Sequence, residues 1–186
     1  MRSRWAIRGV IMAAGLSMTV QAEIEKIAHP AEGRIEFMWW PKVALSERWE
    51  RDELASRRNY INLWALKGQD AHSSPVVLYA RAIYHEQGDT AKQLAVAISE
   101  DHEGFLQHYP GSKVEEIPAV ETADRTKLRT FQFTPQSEGR WDIVAYGHEP
   151  RYVLMFCISA NSQEILEANR AEFLAMVRSY SSHGEQ

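Results

Sequence analysis

Apolar and β-branched residues gather along the chain into seven short runs bounded by turn residues, the signature of strands. The runs cover 34–39, 60–66, 76–84, 113–120, 128–134, 141–146 and 152–159. Several have no polar side. In the last, Tyr152, Leu154, Phe156 and Ile158 alternate with Val153, Met155 and Cys157, and the runs at 60–66 and 76–84 behave in much the same way. A strand that is apolar at both parities must be covered on both faces of its sheet. Two segments with helical periodicity can provide that cover. The first spans 91–109, with Leu94, Ile98, Phe105 and Tyr109 on one stripe and Leu106 beside them; Thr90 with Gln93 reads as a capping box, and Pro110-Gly111 as a stop. The second spans 162–180, with Leu166, Phe173, Val177 and Tyr180 in register and Leu174 and Met176 alongside. Asn161 with Glu164 can cap it, and Glu164 and Arg178 sit at the ends the macrodipole favours.

The predicted order is therefore β-β-β-α-β-β-β-β-α. Only a few residues separate the last four runs, at 124–125, 135–139 and 147–150. Connections that short favour an antiparallel meander, because parallel neighbours need a long crossover. The expected fold class is α+β: a three-layer α/β/α sandwich with a central antiparallel sheet of about six to seven strands and two main helices.

Residues 1–22 follow a different logic. Arg2, Arg4 and Arg8 make a basic start with no acid, an apolar stretch runs from Ile7 to Val20, and Val20-Gln21-Ala22 offers a small residue where a signal peptidase would cut. The stretch is shorter than the ~20 residues a membrane span needs. This reads as a secretory signal peptide, with an uncleaved N-terminal anchor as the alternative. The absence of a Cys near the cut excludes a bacterial lipoprotein. Residues 23–186 carry no repeat, low-complexity run or linker and read as a single domain, periplasmic or secreted, with no stable membrane span after cleavage.

Composition narrows the partners. The chain has 186 residues, 45% hydrophobic and 25% charged, the proportions of an ordinary folded domain and not of collagen, a coiled coil or a disordered tail. Its net charge is −4, and loss of the three N-terminal Arg makes the mature chain more acidic still. That sign disfavours nucleic acid and anionic membrane surfaces as main partners. Cys157 stands alone, which excludes an intramolecular disulfide and a Cys-based zinc finger, and it reads as buried and inert.

Local motifs for catalysis are sparse. His85-Glu86 and His102-Glu103 each begin a helical zinc pattern, but the residues four beyond the His are Asp89 and Leu106. His102 and His108 lie about 120° apart around the predicted helix axis, too far for a two-His clamp. There is no P-loop, no G-x-G-x-x-G and no G-x-S-x-G in the mature chain. Glu115 and Glu116 point to opposite faces of a strand. We therefore expect no catalytic motif, no metal site and no cofactor.

The most unusual stretch lies between Phe37 and Trp49. Trp39, Trp40 and Trp49 fall within eleven residues, close to Arg48, Arg57 and Arg58. Trp and Arg are enriched in binding hot spots, so these six residues form a candidate interaction surface. Equally, Trp is highly buried on average, and the stretch could cap one edge of the sheet.

The order of elements resembles the PsbP/DcrB-like superfamily. Three features carry the resemblance: the strand Val76–Tyr84 leading by a polar turn into the helix at Thr90, the run of strands after Lys113, and the close of the chain. That close is a strand, Tyr152 to Ala160, then a polar cap and a final helix ending Val177-Arg178-Ser179-Tyr180. The likeness spans 32–180 and implies an accessory or adaptor protein, often exported, that binds and supports other proteins. Two functions follow as expectations. The first is an exported, non-catalytic accessory or binding protein that interacts with another envelope protein. The alternative is an exported hydrolase whose groups, Asp101, His102, His85 and Glu86, meet only in the fold. A carrier of a small apolar ligand would need an internal cavity.

Overall fold

The computed structural model describes residues 24–31 and 33–182. The signal peptide expected at 1–22 lies outside them. Among the described residues the chain forms nine strands and three helices, a mixed α+β fold built on one antiparallel sheet. The strands are β1 (Ile24–Ala31), β2 (Arg34–Pro41), β3 (Trp49–Arg51), β4 (Asn62–Leu66), β5 (Val76–Tyr84), β6 (Lys113–Glu121), β7 (Lys127–Thr134), β8 (Trp141–Glu149) and β9 (Tyr152–Ala160). The helices are α1 (Glu53–Asn59), α2 (Thr90–His108) and α3 (Gln163–Ser179).

The sheet runs β1-β2-β5-β9-β8-β7-β6. One edge of β5 is shared: β4 pairs along it from Ala65↔Val77 to Asn62↔Ala80, and β2 joins just beyond at Trp39↔Ala82. Strand β3 pairs with β4. From β5 the chain passes through α2 to the far edge at β6, then returns by the meander β6-β7-β8-β9 until β9 lies antiparallel beside β5. The meander is the one anticipated from the short connections.

Burial follows the double-sided apolar pattern. Every residue of β9 after Tyr152 is buried. Leu154, Phe156, Ile158 and Ala160 belong to a cluster with Leu166, Phe173, Met176 and Val177 of α3. The alternate residues Met155 and Cys157 belong to a second cluster with Ile98 of α2 and with Phe131, Phe133, Val144 and Tyr146. Successive residues of a strand point to opposite faces, so each helix packs on the parity of β9 that the other leaves. A third, smaller cluster of Leu63, Ala65 and Val77 packs against Ala55 of α1.

Four expectations need correction. The sheet has more strands than the six to seven expected, because β1 and the three-residue β3 escaped the reading. Strand β1 breaks its apolar residues with Glu25, Lys26 and His29 and contains Pro30, so no apolar run marks it, and its order comes from an eight-pair register with β2. A third helix, α1, stands where no helix was expected; seven residues are too few to display an apolar stripe. Strand β4 begins at Asn62 and not at 60, because Tyr60 closes α1 in a left-handed conformation at φ 58°. The caps also differ. Asp89, not the Thr90/Gln93 pair, accepts the amides of Ala91 and Lys92, and Ser162, not Asn161, accepts that of Ile165.

Candidate functional site

The segment that joins β2 to β3 is strapped along α3. The Ala44 amide donates to Ser179 Oγ at 2.8 Å, Ser46 Oγ donates to Glu172 at 3.0 Å, and Arg48 reaches Glu172 at 3.4 Å and Asn169 Oδ1 at 3.3 Å. Val43 and Leu45 turn inward against the α3 cluster. This strap explains the fate of the Trp/Arg stretch. Trp40 is 1% exposed and Trp49 7% exposed, so both are core and offer no surface to a partner. That corrects the expectation for these two residues. Their indole Nε1 atoms are buried without a hydrogen-bond partner, which marks both rings as held by packing. Arg48 is the clasp of the strap. Arg57 and Arg58 are exposed in the last turn of α1, where the helix dipole favours cations. Trp39 alone of the three indoles stays half-buried, stacked on Tyr84 at 5.1 Å and edge-on to Tyr152 at 5.5 Å.

Trp39 belongs to a surface whose further members, Ile35 and Lys26, sequence reasoning did not single out. Hairpin β1–β2 is held to the rest of the sheet by one register pair, Trp39↔Ala82. Beyond that pair the hairpin projects, with Ile35 66% and Phe37 49% exposed. The Lys26 ammonium lies 3.8 Å from the Phe37 ring centroid and 5.1 Å from that of Trp39. At the intervening positions the hairpin is tied down: Tyr60 donates to Glu36 Oε2 at 3.0 Å, and His29 meets Tyr60 edge-on. Hydrogen bonds from Tyr60 and Arg34 hold the Glu36 carboxyl below its usual range.

A second feature is a cleft of about 430 Å³ between α1 and α2. Val77, Tyr79 and Arg81 of β5 with Met155 and Ser159 of β9 make its floor; Ile61, Leu63 and Ala71 line one side and Asp101 of α2 the other. Its polar groups are tightly organised. Arg140 donates to Ser159 Oγ at 2.8 Å, to the Ser159 carbonyl at 2.7 Å and to Asn161 Oδ1 at 2.8 Å. Tyr146 donates to Asp101 Oδ2 at 2.8 Å. Burial raises the Asp101 carboxyl, against the pull of that bond and of the Arg81 charge. Beside Ser159, its register partner on β9, burial lifts Asp142 to about 6 despite a Ser159 hydrogen bond, and its Oδ1 is shut from solvent with no partner. Burial likewise pushes the Tyr79 hydroxyl and the Cys157 thiol well above their ordinary values. Cys157 is fully buried, and a thiol that resists ionisation is a poor nucleophile.

The four groups expected for a hydrolase do not meet. Only Asp101 lines the cleft. The His102 ring packs edge-on against Phe131 at 4.6 Å, and burial lowers its pKa. His85 and Glu86 follow the end of β5. Glu116, left without a role by the sequence, accepts both ends of a fork from Arg129 at 3.0 Å on the exposed surface. Sequence reasoning missed Arg81, Arg140, Asp142 and Tyr146. A signal existed: Arg81 and Asp142 are charges inside runs otherwise read as core strands.

Among the described residues no helix is long and apolar enough to cross a membrane, and no group of three or more His, Cys, Asp or Glu is placed to hold a metal ion. Compared with known proteins, the chain matches no family model and no curated sequence.

Proposed function

We propose that the chain is an exported, non-catalytic accessory protein of the periplasm that binds another envelope protein through hairpin β1–β2. In this reading residues 1–22 are the export signal, and the mature domain is a three-layer α/β/α sandwich of the PsbP/DcrB-like kind. Support for the layering comes from β9, whose alternate residues fall into separate α2 and α3 clusters. The observation that carries the binding role is the hairpin itself. Ile35 and Phe37 are large apolar side chains on a projecting element that the sheet anchors at one register pair. Exposed apolar residues grouped on one element mark interaction sites more often than scattered ones do.

A photo-crosslinking amino acid placed at Phe37 or Ile35 in the exported chain tests this directly. Both positions should yield one discrete adduct of the same partner in cells, whereas the exposed Val96 of α2 should yield none. Equal labelling from all three positions, or none from any, would remove the hairpin as the docking element. Mass spectrometry of the exported protein should find Glu23 as its first residue; a retained N-terminus would refute the cleaved signal while leaving the hairpin test standing. The hydrolase alternative draws no support from the positions of His85, Glu86 and His102.

A further inference from the structure

Arg81 on the floor and Asp101 on one side both line the cleft between α1 and α2, yet they do not close an ion pair. The Arg81 guanidinium makes no hydrogen bond among the described residues. Asp101 spends one carboxylate oxygen on Tyr146 and leaves the other open. Arg140, by contrast, spends three of its five N–H donors on Ser159 and Asn161, which fix it against the floor. The cleft therefore presents a cation on the sheet that makes no hydrogen bond and an anion on α2 with one oxygen open, with Leu63, Val77 and Met155 as apolar members of the same lining.

Opposite charges that attract each other at a half-covered site without a hydrogen bond between them are a costly arrangement for a purely structural purpose, because each gives up hydration for only part of what a closed ion pair would return. A molecule that brings the complementary charge to each end removes that penalty. It must carry an anion for Arg81 and a cation for Asp101, joined by a short link, with an apolar arm for the walls. From this geometry we infer that the cleft binds a free α-amino acid with an aliphatic side chain, its carboxylate on Arg81 and its ammonium on Asp101. Arg holds carboxylates through paired, directional N–H donors. Charge-assisted contacts of this kind give specificity for the zwitterion over molecules with only one of its charges. This site is separate from hairpin β1–β2 and does not depend on the docking role proposed for it.

Titration calorimetry on the mature chain tests the inference with L-leucine as the probe. Two analogues each remove one charge: 4-methylpentanoate lacks the ammonium and 3-methylbutylamine lacks the carboxylate. Each should bind at least about tenfold more weakly than leucine, the loss of a charged hydrogen bond. Arg81→Met should weaken leucine by about as much and leave 3-methylbutylamine unchanged. Asp101→Asn should weaken leucine and leave 4-methylpentanoate unchanged. If a variant fails to fold, the analogue series on the unaltered protein still decides. No heat with leucine at millimolar concentration, equal binding of leucine and both analogues, or binding that neither substitution alters would each overturn the assignment.

Discussion

At neutral pH the Asp142 carboxyl lies on β8 with one oxygen closed off from solvent and unpartnered, and burial holds its pKa at about 6, above the 3.8 of a free side chain. The folded state therefore binds this proton more tightly than the unfolded chain. The resulting stability is fully present below about pH 4 and is lost as pH rises through about 6. Two other groups act in neighbouring windows. His102, with its pKa lowered by burial, favours the fold above its ordinary value and withdraws that support as pH falls. Burial also pushes Asp124 up, but bonds from Ser182 and Thr122 prevail and hold it at about 2, so its contribution disappears only in strong acid. Comparison with Asp142→Asn isolates the first effect. Urea unfolding should show the variant gaining on the parent between pH 4 and 7 by about 1–3 kcal/mol. A constant difference across that range would show that Asp142 is not the titrating group. The aromatic residues of β2 divide just as sharply. Trp40→Ala should destabilise by about 3–5 kcal/mol, as loss of a fully buried aromatic does. Phe37→Ala should change stability by less than about 1 kcal/mol, because half of that ring already meets water.

Elements depend on neighbours in proportion to their shortness. Helix α1 has seven residues and cannot persist alone. Its N-cap, Asp52, serves two segments: Oδ1 accepts the Ala55 amide and Oδ2 the Ala71 amide of the β4–β5 connection, both at 2.9 Å. Asp52→Ala should cost about 1–2 kcal/mol and speed amide exchange at both places together. Exchange that rises in α1 alone would show that the second bond carries no weight. Legibility in the sequence follows the same rule. Val76–Tyr84 was read to its last residue because its apolar character is intrinsic. The two long helices were placed to within one residue at each end. Strand β1 and helix α1 were invisible, since β1 is ordered by its register with β2 and α1 by a cap shared with a connection nineteen residues on. The Asp89 cap was misassigned to Thr90 because both residues are good caps and only backbone direction separates them.

Across the whole molecule, protection from solvent should grade from the centre of the sheet outward. Strands β5, β9 and β8 are paired on both sides and packed against the helices, while β1 and β6 are edges. Hydrogen exchange should be slowest in β9 and its two neighbours and fastest in β1 and β6; slow exchange throughout β1 in the isolated protein would contradict the projecting hairpin. The sequence by itself determined the mixed α+β class, the antiparallel meander and the two long helices, because hydrophobic periodicity is a local record of which sides of an element must leave water. Tertiary structure alone decided which tryptophans are core, which strands share the edge of β5, and which charges meet in the cleft. Arg81 and Asp101 are twenty residues apart on elements whose separate patterns contain nothing of their mutual placement. Only the passage of the chain from β5 through α2 brings them into the lining of one space, and partnership between distant side chains is a property of packing, not of pattern.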